Sequence, residues 1–334
     1  MKKAIVKWIL KALAAGCIAF ALLCLFCVFY FNVPVHYYNP DGATEYRWEA
    51  SRFYSRGTEG FALGRTNNDG FNNLRDYVPG EKIDILMMGS SHLEGFNTAQ
   101  DKNAAAVLNE LLAGEKYAYN IGTAGHNLLY CVKHADAALD RYAPGDFLVV
   151  ETDTIDFASA DMHAAADGTL VDIPSHTGGL LTALQKLPYL RLLYTKYWRT
   201  GGEFFGNPDA DAALANADAA YAGGMDAMLE TLRQACDAHG VQAIVVFHPA
   251  VTLQPDGSMQ ATVNESHRAV FTRLCAEKGI LLLDLTEAQF EAYEDQHLLA
   301  AGFSNTAPGV GHINAFGHRM IAEAVCAAVT GKEG

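Results

Sequence analysis

Short, continuous apolar runs alternate with helical patterns through most of the chain, and this alternation constrains the fold more than any other feature. The runs occupy residues 83–88, 117–121, 147–150, 241–247 and 280–285. Helical patterns lie at about residues 104–112, 128–139 and 314–329, and another lies between the last two runs. A strand that is apolar on both sides is buried on both faces, as in a parallel sheet covered by helices. The sequence therefore predicts an α/β domain built on a parallel sheet.

The start of the chain has a different character. Residues 12–33 form a run of 22 amino acids without a charge, close to the ~20 that cross a bilayer as a helix. Four lysines precede this run, and positive residues are retained on the cytoplasmic side. We therefore predict a single-pass anchor in the cell membrane, with a cytoplasmic N-terminus and an extracytoplasmic body. A cleaved signal peptide is the alternative, but it has a shorter apolar core and ends in a small-residue cleavage site.

Charge excludes one class of partner. The formal net charge is −14, and because the first 33 residues carry four lysines and no acid, the rest of the chain carries −18. Proteins that bind nucleic acid need clustered Lys and Arg to neutralise phosphates. The sequence therefore predicts no nucleic-acid partner.

The composition along the chain predicts three parts. Residues 1–33 are a cytoplasmic tip and transmembrane anchor, residues 34–80 a juxtamembrane stalk, and residues 81–334 the α/β domain, with an insertion at about 158–221. One amphipathic piece of the insertion, residues 180–198, carries an aromatic stripe. We interpret this piece as a helix that covers the sheet, because such stripes are usually buried; a substrate lid and a membrane-leaning surface are the alternatives.

Polar side chains collect where the predicted strands end, which is where open parallel sheets bind ligands. Gly89-Ser90-Ser91-His92 follows the first run, and residues 120–127 and 151–156 follow the second and third. A serine becomes a nucleophile when a neighbouring base removes its proton. His312, in a glycine-rich loop before the last helix, is the candidate base for Ser91. Each segment alone is also compatible with ordinary turn chemistry.

Three of these segments resemble the sequence blocks of the SGNH/GDSL hydrolases. Gly89 to His92 is similar to the Gly-Asp-Ser-Leu block, with Ser91 at the nucleophile position. Residues 120–125 resemble the second block, whose glycine N–H, here on Gly125, forms the oxyanion hole together with the Ser91 N–H. Residues 312–317 resemble the block that carries the catalytic histidine. The resemblance implies a flavodoxin-like three-layer α/β/α sandwich and ester hydrolysis or acyl transfer without metal or cofactor.

The sequence departs from the family pattern at two positions. The family has an Asp three residues before its histidine, where this chain has Gly309, and an oxyanion Asn where this chain has Ile155. The candidate replacements for the oxyanion donor are Asn127, Thr152 and Thr154, and those for orienting His312 are Asp153 and Asn305. His248, at the end of the fourth run, either lines the pocket or has a structural role. Asp156 matches a family aspartate, and we expect a structural hydrogen bond there.

The position of the anchor suggests a biological context. A Gly-Ser-Ser motif behind one span is similar to membrane-anchored members of the family that handle acyl groups on envelope polymers, including the D-alanyl transfer protein of teichoic-acid synthesis. We therefore predict a serine esterase or acyltransferase that uses a Ser91–His312 dyad on acetyl-type esters of a bacterial envelope glycan or glycopolymer. The alternative is a catalytically inactive glycan-binding or assembly partner of a membrane acyltransferase. The remaining histidines lack the spacing of metal ligands, so no metal is predicted.

Overall fold

A computed structural model describes residues 2–33, 36–38, 46–171, 186–198 and 218–331. Its α-helices are α1 (Lys2–Tyr30), α2 (Ser91–Glu94), α3 (Ala104–Leu111), α4 (Leu128–Tyr142), α5 (Ser159–Ala166), α6 (Pro188–Leu193), α7 (Asp218–His239), α8 (Glu265–Glu277), α9 (Thr286–Gln296) and α10 (Ala315–Thr330). Its strands are β1 (Phe31–Asn32), β2 (His36–Tyr38), β3 (Tyr46–Trp48), β4 (Phe53–Arg56), β5 (Ala62–Arg65), β6 (Ile85–Met88), β7 (Ala118–Asn120), β8 (Phe147–Thr152), β9 (Gln242–Phe247), β10 (Val251–Leu253), β11 (Met259–Ala261) and β12 (Leu281–Asp284).

The five predicted apolar runs form one parallel sheet in the order β7-β6-β8-β9-β12. The chain starts at β6, adds β7 on one side, and then returns past β6 to add β8, β9 and β12 on the other side. Connections therefore change direction between β6 and β8, and open sheets of this kind bind ligands at such a point. The prediction of a parallel α/β sheet is confirmed.

Alternating side chains of the strands enter two separate cores, because successive residues of a strand point to opposite faces of the sheet. In β6, Leu86 and Met88 lie in a core with residues of α4, α7 and α8. Ile85 and Met87 lie in the opposite core, with residues of α3 and α10. Helices thus cover both faces, and the predicted three-layer α/β/α sandwich is confirmed.

Helix α1 is long and apolar enough to cross a bilayer: its residues Lys3–Tyr30 reach a mean hydropathy of 2.7 over an 18-residue window, and that window is almost entirely exposed. Its end is joined to the rest of the protein. The chain continues directly into β1, which pairs antiparallel with β4 in a small sheet of order β1-β4-β5. The Ser55 hydroxyl also donates a hydrogen bond to the carbonyl of Val28, at 2.9 Å. The small sheet therefore fastens the apolar helix to the α/β domain.

The sequence between the span and the first parallel strand shows little periodicity, yet residues 46–80 include β3, β4 and β5. Aromatic side chains of this segment pack beside the first loop of the parallel sheet. Trp48 and Tyr54 are buried in a small core with Phe96, and the rings of Tyr54 and Phe96 are 4.2 Å apart. Segment 46–80 thus contributes to the wall around the carboxyl end of β6. That residues 34–80 act as a juxtamembrane stalk stays a prediction.

One piece of the insertion, α6, departs from its interpretation as a cover for the sheet, whereas Met162, Ala165 and Tyr221 of the insertion do lie in a core beside the sheet. Helix α6 packs against α1 and β1: the Tyr189 ring lies 6.1 Å from that of Phe20, and the Arg191 guanidinium donates to the carbonyl of Val33. The interpretation of residues 180–198 as a cover for the parallel sheet is therefore wrong for this helix, because its apolar stripe is used against the N-terminal helix. Residues 180–185 lie outside the described residues.

Candidate active site

The turn after β6 presents Ser91. Gly89 has no room for a side chain, since a Cβ there would lie 2.4 Å from Oε2 of Glu151. Ser90 is the N-cap of α2, and its hydroxyl accepts a hydrogen bond from the His92 N–H at 3.1 Å. Ser91 is consequently the first helical residue and remains partly exposed. A glycine at the strand end and a capping serine together explain why Ser91 is the serine that faces outward.

His312 lies beside Ser91 although 221 residues separate the two. Its Nε2 is 2.9 Å from the Ser91 Oγ. The loop that carries His312 ends at Asn314, whose side chain caps α10 by accepting from the N–H groups of Phe316 and Gly317. The structure therefore brings together the two residues that the sequence pattern paired, at hydrogen-bonding distance.

Glu59 completes the arrangement from the other side of the ring. Its Oε2 is 2.7 Å from His312 Nδ1, and its Oε1 accepts from the backbone N–H of His312 at 2.7 Å. A carboxylate that accepts the Nδ1 proton fixes the tautomer with a lone pair on Nε2, the nitrogen that faces Ser91. The three side chains form a serine–histidine–carboxylate relay.

The charges of this relay suit proton transfer. Burial raises the pKa of Glu59, but the hydrogen bonds and charge of His312 and the charge of Arg56 lower that pKa more, so Glu59 is ionised at neutral pH. Burial lowers the pKa of His312 more than Glu59 raises it, and nearby His92 and Arg56 lower it further. The imidazole is consequently neutral at pH 7 and able to accept a proton.

Two predicted supports for His312 are corrected by this geometry. Asp153 and Asn305 were the candidates for orienting the ring, and neither does so. Asn305 instead holds the loop that carries Glu59: its amide donates to the carbonyls of Gly57 and Gly60, both at 3.0 Å, and its Oδ1 accepts from the Gly60 N–H at 2.8 Å. Asp153 lies 3.3 Å from Nε2 of His92.

Glu59 is not predictable from the motif pattern, because this residue lies in the segment interpreted as a stalk. The available signal was its setting, an acidic residue between Gly57 and Gly60. A Cβ on Gly60 would lie 2.3 Å from the carbonyl oxygen of Asn97. Gly311, next to His312, has φ +92°, and a Cβ there would lie 2.3 Å from Oε1 of Glu59. Glycines on both sides of the contact therefore allow the carboxylate to reach the ring.

A second buried carboxylate, Glu151 at the end of β8, supports the serine turn. Its Oε2 accepts from the Ser90 N–H at 2.8 Å and from the Ser90 hydroxyl at 3.0 Å. Its Oε1 is 2.6 Å from Nε2 of His248. Burial raises the pKa of Glu151, but His248 lowers it more. His248 is buried, so of its two predicted roles the contacts favour the structural one, and Glu151 is a further residue that the sequence analysis missed.

The candidate oxyanion donors have different surroundings. Asn127 caps α4 by accepting from the Tyr130 N–H at 3.2 Å. The Thr152 hydroxyl donates to the carbonyl of Thr154 at 2.6 Å, and the Thr154 hydroxyl accepts from the Asp156 N–H at 3.3 Å. These three side chains bond within their own loops. Asp156 forms the expected structural hydrogen bond, 2.8 Å from Nδ1 of His267.

Gly125 lies in the turn after β7 and has φ +91°, in the left-handed region that favours glycine. The N–H of the preceding Ala124 donates to Oε1 of Glu94, at 3.0 Å. Glu94 is the last residue of α2, which begins with Ser91. The turn of Gly125 is therefore tied to the helix of the nucleophile. The oxyanion roles of the Gly125 and Ser91 N–H groups stay predictions.

The neighbouring histidines are engaged in structural contacts. His92 Nδ1 accepts from the Ile313 N–H at 3.2 Å, which ties the serine helix to the histidine loop. His318 Nδ1 accepts from the Ala104 N–H at 3.2 Å, and burial lowers the pKa of His318 to about 3. Among the described residues, no group of three or more His, Cys, Asp or Glu side chains is placed to hold a metal ion.

No protein-family model and no curated protein matches this chain. Similar solved structures include the psychrotrophic esterase EstA from Pseudoalteromonas sp., at 11% identity and a TM-score of 0.41, with 74% of this chain and 96% of that chain covered. The acetyl xylan esterase AlAXEase matches at 12% identity and a TM-score of 0.41, with 74% of this chain and 100% of that chain covered. A protein assigned to the lipolytic G-D-S-L family, from Desulfitobacterium hafniense, matches at 13% identity and a TM-score of 0.40, with 72% of this chain and 97% of that chain covered. Such low identity does not transfer an activity, so the chemistry of this chain has to be derived from its own site.

Proposed function

We propose that this protein is a serine esterase of the SGNH/GDSL type, acting on small acyl esters. The observation that carries the proposal is the continuous set of contacts from the Ser91 hydroxyl through His312 to Glu59, with distances of 2.9 and 2.7 Å. A hydroxyl, a neutral imidazole and an ionised carboxylate in this order form the arrangement that activates serine for acyl transfer.

The first half of the reaction follows from this arrangement. The Ser91 oxygen attacks the acyl carbonyl carbon while His312 Nε2 takes the hydroxyl proton, and Glu59 stabilises the resulting imidazolium at Nδ1. The backbone N–H groups of Ser91 and Gly125 donate to the oxyanion of the tetrahedral intermediate. His312 then gives its proton to the leaving alcohol oxygen as the C–O bond breaks, which leaves Ser91 acylated.

The second half regenerates the serine. Water, or a hydroxyl of an acceptor, attacks the acyl carbon while His312 removes its proton, and the proton returns to the Ser91 oxygen as the acyl–serine bond breaks. Water yields hydrolysis and an acceptor alcohol yields acyl transfer. We propose both as reactions of the same relay.

The setting supports an envelope substrate. We propose that α1 anchors the protein in the cell membrane, with its apolar stretch from residue 12 to Tyr30 in the bilayer and the α/β domain outside; the last three residues of the predicted span, 31–33, pack in the small sheet instead. The small sheet that follows α1 carries the loop of Glu59, so the relay is built next to the end of the apolar helix. An acetyl-type ester on an envelope glycan or glycopolymer is the substrate class that fits this location, and a membrane acyltransferase is a proposed partner.

A fluorophosphonate probe tests the proposal on the full-length protein in detergent. We expect covalent labelling at Ser91, located by peptide mass spectrometry, because the probe reacts with serines that a neighbouring base has activated. Ser91→Ala abolishes the adduct, and His312→Ala lowers the rate of labelling strongly. Absence of labelling in folded wild-type protein would contradict the proposal and support the inactive glycan-binding or assembly partner.

Gly311→Ala tests the contact between Glu59 and the histidine loop. An added Cβ lies 2.3 Å from Glu59 Oε1, so the carboxylate has to move away from His312. We expect kcat for a small acetyl ester to fall by about 10- to 100-fold, part of the effect of losing the orienting carboxylate.

Gly257→Ala is the matched control for this substitution. Gly257 also has a positive φ, +86°, but a Cβ there has nothing within 4 Å. Both substitutions strain the backbone and destabilise the protein by roughly 1 kcal/mol or more. Only Gly311→Ala should lower kcat, and equal loss of activity in both variants would show that backbone strain, rather than displacement of Glu59, is responsible.

A further inference from the structure

Arg56 faces the serine helix from the small sheet. Side chains two residues apart on a strand share a face, so Arg56 lies on the same face of β4 as Tyr54. The Tyr54 ring packs on Phe96, and its hydroxyl donates to Oδ1 of Asn72 at 3.0 Å. Asn72 in turn donates to the carbonyl of Glu94, the last residue of α2, at 2.7 Å. This face of β4 is therefore packed against the segment that begins with Ser91.

The guanidinium of Arg56 has no acceptor within the part of the chain that the structure describes. Its Nε is fully buried and makes no hydrogen bond, and no hydrogen bond joins its other nitrogens to a described residue. Its nearest aromatic neighbour is Phe31, whose ring centroid lies 5.9 Å from the guanidinium carbon. The side chain as a whole is half-buried. A guanidinium whose Nε is withdrawn from water and whose terminal N–H groups have no acceptor among the described residues is able to donate to a ligand.

The acids near Arg56, Glu59 and Glu94, act on it through their charge but accept no hydrogen bond from its guanidinium. Both oxygens of Glu59 are bonded to His312, at 2.7 Å each. Burial raises the pKa of Glu94 to about 7, so this carboxyl is partly protonated at neutral pH. Arg56 is also close enough to the relay for its positive charge to lower the pKa values of Glu59 and His312. The N–H donors of a guanidinium beside the reacting groups are thus left available to a ligand.

We propose that Arg56 binds an anionic group of the substrate, a carboxylate or a phosphate, while the acyl ester lies at Ser91. The inference rests on the proposed esterase function and specifies its substrate as a negatively charged acyl ester. A guanidinium suits this task because its planar set of N–H donors matches two oxygens of a carboxylate or phosphate.

Matched pairs of esters test the inference. The carboxylate pair is 3-acetoxybenzoate and its neutral amide, 3-acetoxybenzamide; the phosphate pair is glycerol 1-acetate 3-phosphate and glycerol 1-acetate. We expect the wild-type protein to prefer the anionic member of at least one pair by about tenfold or more in kcat/KM, the ratio that corresponds to about 1.4 kcal/mol. The pair with the larger preference identifies the anion.

Substitution assigns the preference to Arg56. Arg56→Gln should lower the ratio of anionic to neutral kcat/KM by about tenfold. Arg56→Lys should restore part of it, because an ammonium keeps the charge without the planar donor pair. Arg65→Gln is the control: Arg65 lies on the neighbouring strand, its side chain is 57% exposed, and it pairs with Asp76. This variant should keep the wild-type ratio, and melting temperatures establish that all the variants are folded.

Two results would overturn the inference: a wild-type protein without preference in either pair, or an Arg56→Gln variant that loses activity equally on both members. The second result would mean that Arg56 acts only on the charges of Glu59 and His312. Isothermal titration calorimetry measures the binding of two ligands that the enzyme does not turn over, the amide 3-acetamidobenzoate and inorganic phosphate. If none of the four esters is hydrolysed, but one of these two ligands binds and Arg56→Gln abolishes its binding, only the esterase proposal is contradicted. If the protein shows neither a preference between esters nor binding of either ligand, the anion site is contradicted.

Discussion

Ser91→Ala should lower kcat for 4-nitrophenyl acetate by about 10⁴- to 10⁶-fold, the range seen when a serine nucleophile is removed from a working relay. The substitution removes the hydroxyl oxygen that forms the acyl-enzyme in the proposed reaction. The Ser91 hydroxyl is partly exposed, and its hydrogen bond is to His312, so alanine leaves no cavity in either core. We therefore expect the melting temperature to change by less than about 3 °C.

The neighbouring serine provides a control with the opposite pattern. Ser90 is buried, caps α2 and is bonded to Glu151. Ser90→Ala removes this cap and should destabilise the protein by about 1 kcal/mol, while Ser91 remains present to form the acyl-enzyme. If Ser91→Ala hydrolyses the ester as fast as wild type, and Ser90→Ala does not, the nucleophile has been assigned to the wrong serine.

Apolar runs predict the sheet well because the pattern is local. Residues such as Leu86 and Ile85 have to enter opposite cores, so β6 needs apolar side chains at every position, and that requirement is visible in four consecutive letters. The order of the strands in the sheet, in contrast, depends on how successive strands are connected and not on the side chains of any one strand. The parallel sheet that the apolar runs predict is confirmed by β6, β7, β8, β9 and β12, whereas no strand order was predicted from the sequence.

The site is predictable only where its residues stand next to a strand or helix end. Ser91 and His312 have such positions, and the sequence pairs them. Glu59 precedes His312 by 253 residues and lies in a turn of a small sheet, so no periodicity and no motif spacing connects the two. Its placement depends on tertiary packing of segment 46–80 against the domain, which local sequence does not encode.

Gly309, Gly311 and Glu59 belong to one arrangement around His312. Gly309 has no carboxylate to offer His312, and Gly311 leaves the space that Glu59 occupies beside the ring. An orienting carboxylate is present on Glu59, so Gly309 does not by itself favour an inactive partner. Ile155, which stands where the resemblance expects the oxyanion Asn, is buried and has no side-chain donor.

Glu59→Gln should lower kcat by about 10²- to 10⁴-fold. Two donors of His312, the backbone N–H and Nδ1–H, each use one oxygen of the carboxylate. Glutamine offers one oxygen and one NH₂ group, so it satisfies one donor and opposes the other. If the NH₂ group faces Nδ1, the ring takes the tautomer with its proton on Nε2, and this nitrogen can no longer accept the proton of Ser91. Kinetics on 4-nitrophenyl acetate measures the loss.

The pH profile distinguishes this effect from simple structural damage. His312 has to be neutral to act, so wild-type kcat/KM rises as the pH increases through the pKa of His312, which burial places below its usual value of about 6.5. Glu59 raises that pKa, so its loss should move the rising limb of the profile to lower pH. Glu81→Gln, which removes an exposed carboxylate paired with Arg75, is the control and should keep the wild-type limb. A Glu59→Gln variant that keeps both wild-type kcat and the wild-type limb would show that the carboxylate does not act on His312, because neither the tautomer nor the charge of the ring would then depend on it.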